Sequence, residues 1–208
     1  SVKGEDAALV EPFAIGSHCT GRGRVVEDDV VFILGTGTIG SIILQTCKAK
    51  GCKTVICCDI SDSSLERAKE YGADYVINSK TQDVVAEIQK ITDGHGCTVA
   101  FDSACFPGSL TMCLQPGILC NAGRMVPMGF CTEKEGITQA MINQRELDII
   151  GSRMSQDAFE PTIARMEKGE YITEGIATTF IKFSEIDKVF HLMDHPDESA
   201  KKMVILFD

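Results

Sequence analysis

The stretch "VVFILGTGTIGSIILQTC", Val30 to Cys47, joins two apolar runs through three glycines spaced G-x-G-x-x-G. In such a strand-to-helix turn, Gly35 permits the tight turn, Gly37 lets a pyrophosphate approach the backbone, and Gly40 lets the helix lie close to the sheet. The helix that begins near Thr38 directs unsatisfied N–H groups and about half a positive charge at the ligand. The spacing therefore predicts a dinucleotide site, and the alternative is a glycine turn that serves packing alone.

A second apolar run ends in Asp59, about twenty residues after Gly40, which is the separation that this motif requires. A carboxylate there accepts hydrogen bonds from the adenosine ribose hydroxyls and repels a 2′-phosphate, and Asp62 adds to the repulsion. No Arg follows Asp59 directly. The sequence therefore predicts NAD rather than NADP as the cofactor.

Short apolar runs alternate with helical patterns over most of the chain. Six runs predict strands, at residues 29–34, 53–59, 73–78, 97–104, 123–130 and 146–151. Most are nearly continuous in Val, Ile and Phe, as in parallel strands that are buried on both faces. Three helical patterns end on glycine, and a fourth, at 107–117, is interrupted by Pro116. The alternation predicts an α/β fold with a doubly wound, six-stranded parallel sheet, the Rossmann arrangement.

The ends of the chain fall outside this alternation. Residues 1–22 predict a linking helix that leads into the sheet, 23–151 the NAD-binding domain, and 152–208 a C-terminal return segment. The return segment predicts helices at 159–171 and 184–195 and strands at 177–183 and 201–207. The "NAG" at residues 121–123 is interpreted as a turn before the fifth strand.

Composition excludes several classes of protein. The formal net charge of −10, with one adjacent basic pair (Lys201-Lys202), argues against a nucleic-acid partner. No apolar run approaches the roughly eighteen residues of a membrane span, and no basic-then-apolar leader precedes the fold. The ten cysteines form no C-x-x-C pair, and several lie in apolar runs, so we expect free thiols in a reducing cytoplasm. The chain begins without Met, which suggests a processed chain or a fragment.

Several stretches together resemble the medium-chain, zinc-type alcohol dehydrogenases, in the sorbitol, idonate and galactonate dehydrogenase branch. They are "ALVEPFAIGSH", "VVFILGTGTIGS", "CCDISDSSLERAKEYGADYVIN", "AGRMVPMGF", "ELDIIGSRM" and "KKMVILF". They follow the family's order over nearly the whole chain, and the Glu-Pro pair at Glu11 is typical of the polyol branch. The resemblance implies a small polyol or sugar-acid substrate, NAD and, in the full-length enzyme, zinc. It also implies a homo-oligomer, for which the strand at 146–151 is a candidate edge.

The resemblance also assigns individual residues. Glu11 matches the carboxylate beside the catalytic zinc, and we therefore treat it as a catalytic and metal-site candidate; without the resemblance it is better explained as an acid near a helix start. The remaining matches are cofactor contacts: Ile39 under the nicotinamide, Met128, Gly129 and Phe130 facing the carboxamide, Arg153 at the nicotinamide end and Lys202 at the pyrophosphate. Arg153 could instead pair with Asp157.

The family's zinc-binding first half, with its Cys ligand and G-H-E motif, has no counterpart in these residues. Glu11 alone cannot hold a catalytic zinc, which usually takes about three protein ligands. We therefore expect the cofactor-binding portion of an NAD-dependent, zinc-requiring polyol or sugar-acid dehydrogenase, which binds NAD without turning over substrate. The alternatives are a stand-alone NAD-binding regulatory module and a zinc-free medium-chain reductase.

Overall fold

The computed structural model describes residues 2, 4–195 and 202–207. Its main sheet has six parallel strands in the order β3-β2-β1-β4-β5-β6. The strands are β1 Val30–Leu34, β2 Thr54–Asp59, β3 Tyr75–Asn78, β4 Cys97–Asp102, β5 Leu119–Pro127 and β6 Asp148–Ile149. This is the doubly wound order, in which β2 and β3 are added on one side of β1 and β4, β5 and β6 on the other. The predicted fold class is confirmed.

Nine α-helices are found in the described part of the chain. They are α1 Gly4–Ala7, α2 Val10–Arg22, α3 Thr38–Ala49, α4 Asp62–Glu70, α5 Val84–Ile91, α6 Ser109–Cys113, α7 Gln139–Asn143, α8 Phe159–Glu167 and α9 Asp187–Asp194. After α3, α4 and α5 the chain turns through Gly51, Gly72 and Gly94, each with a positive φ. These are the glycines at which the sequence predicts the helices to end. None of the helices described is long and apolar enough to cross a membrane.

The strand β1 divides the core into two layers. Val31 and Ile33 point into one cluster, which contains α2 and α3 side chains such as Phe13. Phe32 and Leu34 point into the other cluster, on the opposite face of the sheet. All four side chains are almost completely buried, which explains why the strand reads as a continuous apolar run rather than an alternating one.

The return segment forms a second, two-stranded parallel sheet from β7 Thr179–Lys182 and β8 Met203–Leu206. The helix predicted for 159–171 ends earlier, at Glu167, because Gly169 adopts a φ of +72°. Tyr171 nevertheless stays attached to the core and stacks on Phe13, with ring centroids 4.5 Å apart. The first residue of the predicted last strand, Lys201, lies outside the described residues. The domain boundaries stay a prediction.

The interpretation of residues 121–123 as a turn is wrong. Asn121, Ala122 and Gly123 lie within β5, where the pairing with β4 changes register between Cys97 and Val99. Ala122 has a φ of +55°, so the segment is a local irregularity of the strand, as in a β-bulge. An Asn followed by small residues is typical of turns and of bulges alike, and the sequence pattern does not distinguish them.

The amino-terminal edge of the sheet is held together by one buried carboxylate. Asp29, which is 5% exposed, accepts hydrogen bonds from the Val26 backbone N–H at 2.8 Å and from the Thr98 hydroxyl at 2.6 Å. It also forms an ion pair with Arg124 of β5. One side chain thus connects the starts of β1 and β4 with β5, on the edge opposite the glycine turn.

Candidate cofactor site

The glycine turn follows β1 at the carboxyl-terminal edge of the sheet, and two of its glycines cannot be replaced without displacing backbone. Gly35 has a φ of +86°, and a Cβ there would lie 2.8 Å from the Ala104 backbone nitrogen. A Cβ on Gly40 would lie 1.9 Å from the carbonyl oxygen of Gly35. These contacts bring α3 tightly against the end of β1, which is the role that the motif predicts for both residues.

Gly37 plays a different part, because it faces open space. A Cβ there would meet nothing within 4 Å, and the residue is exposed. Gly37 is the N-cap of α3, and no side chain caps the helix. The first backbone N–H groups of α3, at Thr38 and Ile39, follow directly after this open position, and the first turn holds no acidic residue. A helix start of this kind fits a phosphate or pyrophosphate group.

Asp59, at the end of β2, lies directly beside this turn. Its Oδ2 accepts hydrogen bonds from the Thr36 backbone N–H at 2.7 Å and from the Thr36 hydroxyl at 2.9 Å. Its Oδ1 accepts from the backbone N–H groups of Ile60 at 2.7 Å and Ser61 at 3.0 Å. The acid predicted to bind the ribose is thus fixed between the glycine turn and the start of α4.

Two hydroxyl residues that sequence reasoning missed stabilise the same turn. Thr36, inside the motif, contacts Asp59 and is only 3% exposed. Ser103, which follows β4, donates from its hydroxyl to the Gly35 carbonyl oxygen at 2.7 Å. The position of Thr36 between two glycines was the available signal for the first, whereas the contact of Ser103 depends on the pairing of β1 with β4.

The loops after β4 and β5 complete the edge. The Met128 backbone N–H donates to the Asp102 carbonyl oxygen at 2.9 Å. A Cβ on Gly129 would lie 2.0 Å from the Cys105 sulfur, so the two loops are in close contact. Asp102, Cys105 and Gly129 line a cavity of about 220 Å³ together with Ser109 and Cys131. Cys58, in β2 beside the turn, contributes no charge, because burial raises the pKa of its thiol to about 12.

The structure brings two predicted cofactor residues into contact. The guanidinium of Arg153 lies over the ring of Phe130, 5.5 Å from its centroid, in a cation–π arrangement. Both side chains are exposed, Phe130 by 75%. Among the ion pairs of the described residues, none joins Arg153 to Asp157. The contact pairs the loop after β5 with the chain that follows β6.

Two other predicted residues lie on other elements, Glu11 on α2 and Lys202 before β8. Glu11 is exposed on α2, and no cluster of three His, Cys, Asp or Glu side chains that could hold a metal ion occurs within residues 4–195 and 202–207. The residues described therefore do not fit a zinc ion. Lys202 precedes β8, where its backbone carbonyl accepts from the Thr178 N–H at 2.9 Å. The roles of Glu11 at zinc and of Lys202 at the pyrophosphate stay predictions.

The strand order, the uncapped helix start and the acid at the end of β2 define a dinucleotide-binding domain of the Rossmann class. Residues 38–168 match the zinc-binding dehydrogenases, and the chain belongs to this family. The resemblance seen in the sequence is thereby confirmed.

Three relatives illustrate the match. Starvation-sensing protein RspB of Escherichia coli K12 is 33% identical over 209 residues, which are 100% of this chain and 60% of the relative. Sorbitol dehydrogenase of Bacillus subtilis 168 is 29% identical over 206 residues, or 98% and 58% of the two chains. A crystal structure of the alcohol dehydrogenase RspB from Escherichia coli CFT073, complexed with NADH, has a TM-score of 0.89 at 31% identity and covers 100% and 60%.

The chain therefore spans about 60% of the length of the curated relatives that it matches. It is similar to the part of these dehydrogenases that carries the nucleotide-binding fold.

Proposed function

We propose that this chain is the cofactor-binding portion of an NAD-dependent, zinc-requiring dehydrogenase that acts on a polyol or a sugar acid. The observation that carries the proposal is the position of the Asp59 carboxylate beside the exposed, uncapped start of α3. A carboxylate there matches the ribose diol of NAD and opposes the 2′-phosphate of NADP. The NADH complex of the RspB relative supports the nicotinamide part of the proposal.

The residues of the chain have distinct tasks in this proposal. The open space at Gly37 admits the pyrophosphate, which the N–H groups at the start of α3 bind. Asp59 orients the adenosine ribose. The loop at Met128–Phe130 and the Arg153 side chain border the nicotinamide end. NAD, when bound, supplies the hydride acceptor.

The substrate class and the zinc requirement are proposals for the longer protein. The sorbitol dehydrogenase among the relatives supports a polyol. The described residues hold no metal cluster, so we propose that this chain alone binds NAD and does not oxidise an alcohol. We also propose a homo-oligomer that pairs through the exposed edge strand β6, and, because its ten cysteines are free thiols, a reducing cytoplasmic setting.

The test of cofactor binding is a titration of the chain with NADH and with NADPH, followed by nicotinamide fluorescence. We expect NADH to bind at least about tenfold more tightly than NADPH, and Asp59→Asn to remove the difference. The matched control is Asp28→Asn, because Asp28 is an exposed acid that pairs with Lys53 at the amino-terminal edge. Failure of the chain to bind either nucleotide, or equal binding of both, would contradict the proposal.

A second candidate function is an NAD-binding module that senses without catalysing. The name of the 33% identical relative, a starvation-sensing protein, favours it. The two candidates differ in the coding sequence upstream of Ser1: a G-H-E motif with a Cys ligand supports the dehydrogenase, and a start codon directly before Ser1 supports the module. NAD reduction by the longer protein with a panel of polyols and sugar acids decides between them.

A further inference from the structure

The strongest unassigned feature of the site is the hydroxyl of Thr36. Four hydrogen bonds reach the Asp59 carboxylate, from Thr36 N, Thr36 Oγ1, Ile60 N and Ser61 N. Three of these donors are backbone N–H groups, whose positions follow from the fold. The fourth is the only side chain among them, and it is therefore the one that a point substitution can remove.

Thr36 is itself held in place on both sides. Its carbonyl oxygen accepts from the hydroxyl of Ser41 at 3.1 Å, and the preceding carbonyl, of Gly35, accepts from Ser103 at 2.7 Å. With an exposure of 3%, the Thr36 side chain is too buried to bind a nucleotide directly. Its hydroxyl can affect a ligand only through the group that it contacts, the Asp59 carboxylate.

We propose that Thr36 is a positioning residue that determines cofactor preference by fixing the rotation of the Asp59 carboxylate. This inference rests on the proposed function, namely NAD binding at the turn. With both Thr36 donors on Oδ2 and two backbone donors on Oδ1, the plane of the carboxylate is defined before a ligand arrives. The ribose diol then meets carboxylate oxygens that need no reorientation, whereas a 2′-phosphate meets a negative charge however the carboxylate is rotated.

Loss of the Thr36 hydroxyl should therefore affect the binding of NADH and NADPH differently. A hydrogen bond to a charged group is stronger than one between neutral groups, and a carboxylate that loses it gains rotational freedom. Binding that uses the carboxylate, through the ribose diol, should weaken. Binding that does not use it, by a nucleotide with a 2′-phosphate, should change little.

The test compares Thr36→Val, which keeps the shape and removes the hydroxyl, with Thr36→Ser, which keeps the hydroxyl. Dissociation constants are measured on the full chain for three nucleotides: NADH, NADPH, and an NADH analogue that lacks the 2′-hydroxyl of the adenosine ribose. We expect Thr36→Val to weaken NADH about tenfold and to leave NADPH within about twofold, so that the preference falls about tenfold. Thr36→Ser should retain the preference, and the loss in Thr36→Val should shrink for the 2′-deoxy nucleotide.

The inference is overturned if Thr36→Val binds NADH as the unmodified chain does, or if it weakens NADH and NADPH equally, which would indicate general damage to the turn. In an Asp59→Asn background, Thr36→Val should add no further loss of NADH affinity, because the group through which it acts has been changed. An unmodified chain that binds neither nucleotide overturns the proposed function and this inference together. If the unmodified chain prefers NADH and the Thr36→Val variant keeps that preference, this inference alone is overturned and the proposed function stands.

Discussion

At the scale of single residues, the three glycines of the motif are not equivalent. Gly40 is required by close contact between backbone segments, since its Cβ would lie 1.9 Å from the Gly35 carbonyl oxygen. Gly37 has an ordinary φ of −65° and free space around its Cα. Gly40 is needed by the fold, whereas we propose that Gly37 leaves room for the ligand, so that substitutions at the two positions should separate stability from binding.

We predict that Gly37→Ala lowers the free energy of unfolding by no more than about 1 kcal/mol, because alanine is a poorer N-cap than glycine but meets no steric obstacle. The same change should weaken NADH binding about tenfold or more, because the added methyl group occupies the space for the pyrophosphate. Urea unfolding and nucleotide titration measure the two effects. A variant that binds NADH normally would show that the pyrophosphate lies elsewhere.

The companion substitution, Gly40→Ala, should lower the free energy of unfolding by about 1–3 kcal/mol, since α3 must shift to accommodate the methyl group. Any loss of NADH affinity in this variant would then follow from the displacement of α3. The comparison of urea midpoints for the two variants is the direct check, and equal stability of both would contradict the distinction made here.

At the scale of helices and strands, the sequence predicted types and order better than boundaries. The six strands and the glycine ends of α3, α4 and α5 follow from local patterns. The length of β6 was less predictable, because the apolar run at 146–151 forms a strand of only two residues. Its length depends on the partner strand β5, whose irregularity at Ala122 is not visible in the apolar pattern.

The part of the candidate site that was predictable from the sequence also follows from local patterns. Gly35, Gly40 and Asp59 belong to a motif whose parts are close in sequence. The contacts of Ser103 with Gly35 and of Arg153 with Phe130 depend on which strands are neighbours. Such pairs come from separate βα units, and no local spacing predicts them.

The buried carboxylate at the opposite edge leads to a prediction about the strands. Asp29→Ala should lower the free energy of unfolding by about 3 kcal/mol, because it leaves the Arg124 guanidinium without its carboxylate partner and removes the shorter of the two hydrogen bonds that the Thr98 hydroxyl donates. NADH affinity should be unchanged, since the site lies at the other edge. The exposed neighbour Asp28 gives the control: Asp28→Ala should leave the urea midpoint unaltered. A loss of NADH affinity in folded Asp29→Ala would contradict the separation of the two edges.

At the scale of the whole molecule, the free cysteines make stability depend on pH. Burial raises the pKa of the thiols of Cys58 and Cys97 to about 12, from an ordinary value of 9.0. It raises the pKa of Cys19 and Cys57 as well. In the unfolded chain these thiols ionise above pH 9.0, whereas in the folded chain they stay neutral. The folded state is therefore favoured below that pH and loses stability as the pH rises from there toward 12.

We expect the free energy of unfolding to fall by about 1.4 kcal/mol per pH unit for each such thiol above the unfolded pKa. Urea unfolding under reducing conditions, near pH 7 and near pH 10, measures the slope. Cys131→Ser is the control, because Cys131 is exposed and its removal should leave the slope as it is. Stability that rises over this range would contradict the assignment of buried neutral thiols.

The return segment gives the molecule an apolar surface. Phe190 and Met193 on α9 are 61% and 64% exposed, and Phe207, after β8, is 76% exposed. Exposed patches of this kind promote association between molecules. We predict that Phe190→Lys raises the concentration at which light scattering begins, with no loss of NADH affinity. Unchanged scattering would show that this surface does not govern association.

The glycine turns after α3, α4 and α5 all lie at the amino-terminal edge, at Gly51, Gly72 and Gly94. Each reverses the chain on the side of the sheet away from the nucleotide loops. A short peptide tag or a fluorescent label grafted into one of these turns would thus report on the molecule without touching the proposed cofactor site. We expect the same graft after Gly35, Ile60 or Ser103 to abolish NADH binding, so the parallel sheet separates the edge available for engineering from the edge that we propose for the cofactor.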